Sequence, residues 1–448
     1  MRLIAELLKC FSVVASPRTQ ASPNLVRKSI RPGITGRSQA PHGVDSGLFC
    51  SVAQSSPIIP NSALNLLRFF GRYLQMVDLL KPIAFEVIYC LSQLFDYYFY
   101  SVYHLFGKDF VNGDISTKLG MCMEQIETNI ICRTQQDIVQ NSGNRIRPPK
   151  IMSIIPEQMN TVDRLFALPE RVVAAESVVY VAEQLQTLKH HFENVIPSQR
   201  KPFLEQFYSQ TVTMTRDLRR PIYGAVAIRV INSERLLQEM TSTSVSWDLH
   251  ELMSQHNVYV DHLTQEYERF AQGLNHISTT ILPIPWECYS TIWDISIGNT
   301  CKMLVEGYAF ARKCTSEGRA LMQLDFQQLV LKLEKLAVIR PIPCKEYVEN
   351  YIKAYYMPEV ALEQWIKDQQ KEYSTRQLIN LLNVVNHINR RTRQRLITYL
   401  EDCQLSQPAN VGMAASSVTL PSVGATLKSF SGANITPAVA NSGSYAPS

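Results

Sequence analysis

The amino-acid sequence predicts an all-α protein, and three observations support this fold class. The chain has 448 residues, of which 46% are hydrophobic, so it can bury a large core. Only 18 residues are glycine, the residue that tight hairpin turns and phosphate-binding loops require. Between residues 62 and 402, apolar residues recur three and four positions apart, which is the period of an amphipathic helix.

The net charge of +5 comes from the N-terminal segment alone. Residues 1–61 contain seven Lys or Arg and two acidic residues, which accounts for the whole excess. The rest of the chain is neutral and lacks the positive field by which nucleic-acid-binding proteins attract phosphate, so we expect no nucleic-acid partner. The ten cysteines include no CxxC pair, which is typical of a reducing, cytoplasmic compartment.

The two ends of the chain are predicted to be disordered. The leader, residues 1–61, contains scattered Pro, Ser and Gly without a lasting period. It is also rich in Arg and Ser and poor in acid, which is equally typical of a mitochondrial transit peptide. The tail, residues 403–448, has Lys428 as its only charge and consists mostly of small residues.

The helical pattern begins at Ser62 and runs to Pro82, which suits the first turn of a second helix. That second helix contains residues 87–106, which are apolar and aromatic enough to suggest a membrane span. Asp96 lies at the centre of this stretch, where a charge costs about 2.5–3.5 kcal/mol. A membrane-embedded helical protein that uses residues 87–106 is therefore the alternative to a bundle outside the membrane.

Further stretches of the chain have a helical period, and two X-Pro-Ile-Pro breakers interrupt them. The residue before each proline is biased away from the helix, so the breakers predict a boundary between two bundle regions, 62–282 and 283–402. The segment 221–231 fits either a helix or a strand. The helical stretches are 117–140, 168–196, 201–220, 247–278, 286–315, 318–336, 344–357, 358–368 and 374–403, and the breakers are 282–285 and 340–343.

The stretch 318–336 carries a seam of apolar residues that fall within about 40° of one line on a helical wheel. A second apolar line lies opposite, and polar residues such as Arg319 and Asp325 occupy the flanks. A two-stranded coiled coil needs only one line, so we expect this helix to pack between neighbours in its own chain. The seam comprises Met322, Phe326, Leu329, Leu333 and Leu336, and the opposite line comprises Ala320, Leu324 and Leu331.

The sequence contains no residue set that predicts catalysis. The segment His-Glu-Leu-Met-Ser-Gln-His, 250–256, begins like the zinc-protease motif HExxH, but its histidines are six positions apart. On a helix, two such imidazoles point about 120° apart and cannot share one ion. Nucleotide-binding glycine motifs and a GxSxG nucleophile motif are also absent. We therefore expect no enzyme, no cofactor and no metal, with a zinc hydrolase using His250 and Glu251 as the competing hypothesis.

Two groups of side chains are candidate contact surfaces. The aromatic residues Tyr97, Tyr98, Tyr100 and Tyr103 form either a partner surface or part of the core. The basic residues of the last helix form either a surface for anionic lipid or an acidic partner, or an ordinary solvated helix face. These basic residues are Arg390, Arg391, Arg393 and Arg395.

Several longer segments resemble the C-terminal region of the syndetin family, in the same order, from about residue 62 to about residue 401. They include ALNLLRFFGRYLQMVDLLKPIAFEVIYCLSQLFDYY, KPFLEQFYSQTV, EGRALMQLDFQQLVLKLEKL, YIKAYY and EYSTRQLINLLNVVNHINRRTRQRL. Ordered matches of this length are far more specific than a short motif. The family also has an N-terminal part with a coiled coil, and residues 1–61 have no coiled-coil period.

The resemblance implies a subunit of the endosome-associated recycling protein complex, which tethers vesicles during endocytic recycling and protein transport. It implies an elongated rod of stacked helical bundles without catalytic residues. The expected partners are the other subunits of the tethering complex, SNARE proteins, small GTPases and, through peripheral contact, a membrane. The expected location is cytoplasmic, on recycling endosomes, with the trans-Golgi network as a second location.

Overall fold

The computed structural model describes residues 59–110, 116–132, 161–243, 245–337 and 339–406. Every regular element in these ranges is a helix, and no β-strand is present in them, which confirms the predicted all-α class. Nearly all of the predicted disordered leader and tail lies outside the described residues.

Half of the α-helices in the described ranges precede residue 244. They are α1 (Asn61–Leu79), α2 (Ala84–Phe106), α3 (Thr117–Ile126), α4 (Leu168–Val195), α5 (Lys201–Phe207), α6 (Arg219–Ala227) and α7 (Ser233–Thr241). Pro169 and Pro202 each occupy the first turn of a helix, where the missing amide hydrogen would have no partner anyway. The ambiguous segment 221–231 is helical over most of its length.

The other half of these α-helices follow residue 244. These helices are α8 (Val258–Thr280), α9 (Trp286–Ala309), α10 (Ser316–Leu336), α11 (Lys345–Ala354), α12 (Glu359–Asp368), α13 (Thr375–Val384) and α14 (Arg390–Ser406). The predicted helix over 374–403 is thus two helices, and α14 continues into the first residues of the predicted tail. Ser374 begins α13 with a capping box, in which its side chain and that of Gln377 bind each other's backbone amides.

Two of the helical stretches contain π turns. One π turn, Glu127–Cys132, follows α3, and the other, Tyr208–Val212, follows α5. The second π turn leads through a 3₁₀ segment, Thr213–Leu218, into α6. The predicted single helix over 201–220 is therefore one helical path with a wider turn in its middle, and such turns are often found at functional sites.

Helix α9 is the central element of the core and is buried on nearly every side. It packs against α6 and α7 on the N-terminal side of the predicted boundary and against α11 and α13 on the other side. The Trp293 ring is stacked on Tyr267 with a 5.7 Å centroid distance and meets Phe270 edge-on at 5.3 Å. The predicted boundary between the two bundle regions, at 282–283, therefore falls between α8 and α9. Helices from both sides of this boundary pack together.

A buried arginine connects the end of α2 to the start of α4. Leu165, Phe166 and Ala167 all have positive φ angles, 44°, 55° and 60°, which non-glycine residues rarely adopt in succession. Arg171 Nε donates to the Phe166 carbonyl oxygen at 3.0 Å, and its Nη1 donates to the Phe106 carbonyl oxygen. The guanidinium thus binds a carbonyl of this left-handed turn and a terminal carbonyl of α2 together.

The predicted helix over 247–278 is wrong for its first eleven residues, because α8 begins only at Val258. The Thr315 amide, which precedes α10, donates to the Trp247 carbonyl oxygen at 3.0 Å. Gly318 allows this close approach, since a Cβ at that position would lie 1.9 Å from the same oxygen. Contacts with the start of α10 therefore hold this segment outside α8.

Candidate functional site

The four arginines of α14 do not share one environment. Arg390, Arg391 and Arg395 are exposed, whereas Arg393 is half-buried. Arg395 Nη2 binds Glu363 Oε2 at 2.6 Å, and Arg393 Nη2 donates to a main-chain carbonyl of the turn between α13 and α14 at 2.5 Å. Two of the four guanidinium groups therefore have contacts within the chain, and Arg390 and Arg391 form an adjacent exposed pair.

The aromatic residues of α2 lie mainly in the core. Tyr97, Tyr98 and Tyr100 are buried, and Tyr103 is half-buried. The Tyr98 hydroxyl shares a 2.7 Å hydrogen bond with Ser177 of α4, and burial raises the pKa of Tyr98 to about 12. The first three rings do not form an exposed contact surface, because α1, α4 and α6 pack against α2.

The seam of α10 faces the interior. Met322, Phe326, Leu329 and Leu333 are buried, Leu336 is half-buried, and the helices α8 and α11 pack against α10. The residues of the second apolar line, on the opposite side of the helical wheel, are less completely buried. Ala320 and Leu324 are half-buried there, and Leu331 is 51% exposed.

Two charged residues that the helical wheel puts on the flanks of α10 are fully buried. Asp325 accepts hydrogen bonds from the Asn257 amide and side chain, each at 2.8 Å, and from the Tyr259 hydroxyl at 2.7 Å. Arg319 lies over the Tyr355 ring, 4.9 Å from its centroid. The sequence carries no signal for these partners, because Asn257 lies 68 positions from Asp325 along the chain.

The histidines of the segment 250–256 are not on a helix, so the geometric argument from helical spacing does not apply to them. His250 is exposed, whereas the His256 Nε2 atom lies 3.0 Å from Asp261 Oδ1. Lys332 binds the same carboxylate oxygen at 2.7 Å, and together Lys332 and His256 lower the pKa of Asp261. In the described ranges no cluster of three His, Cys, Asp or Glu side chains could hold a metal ion.

The stretch 87–106 lies within α2. None of the helices in the described part of the chain combines the length and the apolar composition that a membrane span requires. Asp96, at the centre of this stretch, faces a cavity in the helical bundle.

This cavity is lined largely by polar side chains. It has a volume of about 310 Å³ and lies where α2, α3 and α5 meet the two π turns. Five carboxamide side chains line it, together with hydroxyl groups, a thiol and one carboxyl group, that of Asp96. The carboxamides are Gln93, Gln125, Asn129, Gln206 and Gln210.

Asp96 as a whole is half-buried, but the Oδ1 atom of its carboxyl group is buried, and this group is incompletely paired. It is hydrogen-bonded to the Thr211 side chain, but its Oδ1 atom has no hydrogen-bond partner among the described residues. Burial raises the pKa of Asp96 from 3.8 to about 7, and the bond with Thr211 offsets this only in part. The same burial, together with the Asp96 charge, raises the pKa of the Cys122 thiol to about 11.

The family model described as Syndetin, C-terminal, matches residues 165–401 of this chain. Relatives named Syndetin show the same similarity over a longer range. The Rattus norvegicus protein is 46% identical over 364 residues, and the Mus musculus protein is 45% identical over the same length. The Gallus gallus protein is 44% identical over 365 residues.

Each alignment covers 78% of this chain, but the chain spans only 37–38% of the length of these relatives. The region that matches the family model extends from the left-handed turn before α4 to α14 and therefore includes the central helix α9. This chain belongs to the syndetin C-terminal family.

Proposed function

We propose that the protein is a non-catalytic subunit of a multisubunit complex that tethers vesicles during endocytic recycling from endosomes to the plasma membrane. The observation that carries this proposal is the family match over 165–401, together with 46% identity to the rat protein named Syndetin. The partners we propose are the other tether subunits, SNARE proteins and small GTPases. The location we propose is the cytoplasmic face of recycling endosomes, with the trans-Golgi network as a second location.

The structure is consistent with a role in binding rather than in chemistry. The buried charged groups Arg171, Arg319 and Asp325 contact carbonyls, rings or amides of this chain and so serve the packing of helices.

The first test is recovery of partners from cells. We expect the tagged full chain to enrich the other subunits of one tethering complex, measured by quantitative mass spectrometry against the tag alone. The rat relative, purified in parallel, serves as the positive control. If the rat protein recovers a set of tether subunits and this chain, shown to be folded by circular dichroism, recovers none of them, the proposed function is wrong.

We also propose that Arg390 and Arg391 form a contact surface for anionic lipid or an acidic partner. Their adjacent, exposed position at the start of α14 supports this role, whereas Arg395 is paired with Glu363. Each basic residue near an anionic membrane contributes about 1 kcal/mol of binding. The proposed contact surface therefore contains two arginines, fewer than the four that the sequence suggests.

Charge reversal tests this surface. We expect the double substitution Arg390→Glu and Arg391→Glu to weaken binding to phosphatidylserine vesicles at least about tenfold, with the loss diminishing at high salt. The matched control is Arg312→Glu with Lys313→Glu, because these residues are also adjacent, basic and exposed. Equal losses in both double variants would show only a general charge effect and would contradict the proposal.

A further inference from the structure

We propose that the cavity bordered by α2, α3, α5 and the two π turns binds a lysine or arginine side chain of a partner polypeptide. The ligand chemistry is an alkylammonium or a guanidinium group. The residues that carry the inference are Asp96, at the cavity wall, and the carboxamides that surround it. This site is separate from the arginine pair of α14 and does not depend on the tethering role.

The first argument is the charge of the cavity. Asp96 is the one carboxyl group that lines it, and none of the described lining residues is a Lys, Arg or His. The titratable neighbours are Tyr89 and Cys122 from α2 and α3, and both are neutral or negative at every pH. A carboxylate removed from water is strongly stabilised by a bound cation, and this site lacks one from the described chain.

The second argument is the hydrogen-bonding character of the walls. Each carboxamide has an oxygen acceptor, of which that of Gln210 already accepts a hydrogen bond from Gln206 Nε2 at 3.0 Å. An ammonium group brings three donors, and a guanidinium brings five. One carboxylate in a cavity whose other polar lining groups are neutral therefore matches a cationic donor. A phosphate or carboxylate ligand would be repelled by Asp96 and would find no basic side chain among the lining residues.

The third argument is size and backbone geometry. A volume of about 310 Å³ lies at the lower end of the range for ligand pockets and holds about ten water molecules. Asn129 lies in the first π turn, and Gln210 and Thr211 lie in the second. Two separate π turns thus place polar side chains in one cavity, and π turns, which are rare, occur frequently at functional sites.

The proposal also predicts a pH dependence. A cation binds the ionised carboxylate, and the unliganded carboxyl group has a pKa of about 7. Protons compete with the ligand below that value and do not compete above it. Binding should therefore be about tenfold weaker near pH 6 than near pH 8, which follows from proton linkage at a single site.

The experiment uses N-acetylarginine methylamide and N-acetyllysine methylamide as probes of the full chain, with calorimetry near pH 8. N-acetylcitrulline methylamide is the uncharged analogue of the arginine probe and should bind at least tenfold more weakly. The isosteric substitution Asp96→Asn should weaken binding of the charged probes at least tenfold. The control Asp78→Asn changes an exposed carboxylate on α1 and should leave binding unchanged.

A second variant tests the site in the opposite way, by adding a cation of the chain and keeping the carboxylate. Gln206 is exposed at the rim of the cavity, so Gln206→Lys should fold and should abolish probe binding by placing a cation of the chain beside Asp96. The proposal is overturned if the citrulline probe binds as well as the arginine probe, or if neither variant affects binding. Saturable binding of spermidine without binding of either amino-acid probe would also overturn it, because the site would then accept a free polyamine.

Discussion

Replacing Phe326 with Ala should lower the free energy of unfolding by about 3–5 kcal/mol. The Phe326 ring is only 2% exposed, and it lies on the buried seam of α10, against which α8 and α11 pack. Removal of the ring leaves a cavity that its surroundings fill only in part, because a close-packed interior relaxes incompletely. Urea unfolding followed by circular dichroism measures the change.

The matched control is Leu331→Ala on the same helix. Leu331 is 51% exposed, so its truncation should cost less than about 1 kcal/mol. A similar loss in both variants would mean that the burial of the seam does not decide stability. If Phe326→Ala left stability unchanged and released a protein partner instead, the seam would be an interface and the packing described for α10 would be wrong.

Replacing Asp96 with Asn should make the protein more stable above pH 7. The pKa of Asp96 is raised from 3.8 to about 7, so the folded protein holds a proton that the unfolded chain has lost between these values. Stability therefore falls as the pH rises from about 4 to about 7, and this loss is complete above pH 7. A rise of about three pKa units corresponds to a loss on the order of 4 kcal/mol, which Asn avoids.

Unfolding by urea near pH 4 and near pH 8 tests this prediction, since the advantage of the Asn variant should exist only at the higher pH. Asp78→Asn again provides the control, as it makes the same carboxylate-to-carboxamide change at an exposed side chain of α1. A constant difference between wild type and Asp96→Asn at both pH values would contradict a raised pKa. A carboxyl group that destabilises the unliganded fold is also what a ligand site is expected to contain, because function commonly costs stability.

The helices with a strong local signal could be predicted from the sequence. The helix at 168–196 is observed as α4, with Pro169 in its first turn, and the stretch at 318–336 is observed as α10. Both have a sustained apolar period, and proline and capping residues act on the backbone within a few positions. Sequence patterns suffice to predict a helix where the residues that determine it lie close together in the chain.

The segment before α8 could not be predicted in this way. Its Trp247 carbonyl accepts a hydrogen bond from Thr315, and Asp325 binds the Asn257 amide at the residue preceding α8. These bonds join residues 68 positions apart. The apolar period of residues 247–257 is compatible with a helix, but the contacts with α10 and the residue before it favour a non-helical path.

The candidate cavity could not be predicted from the sequence either. The sequence marks Asp96 as an isolated charge in an apolar stretch, but it does not show that Asn129 and Gln210 lie at the same cavity. Their meeting depends on how α2, α3 and α5 pack and on the two π turns, which shift side chains relative to an α-helix.

The helical class, most of the helix positions and the family resemblance can be read from the sequence, because each rests on residue types and short spacings. Which charged side chains are buried, where α8 begins and which polar groups share a cavity with Asp96 follow from the packing of the helices. Those outcomes depend on contacts between helices that are distant in the chain. Burial then determines how much these polar and charged groups contribute to stability. A charge or an amide that is removed from water needs a hydrogen-bond partner, and the packing of the helices determines which partner is available.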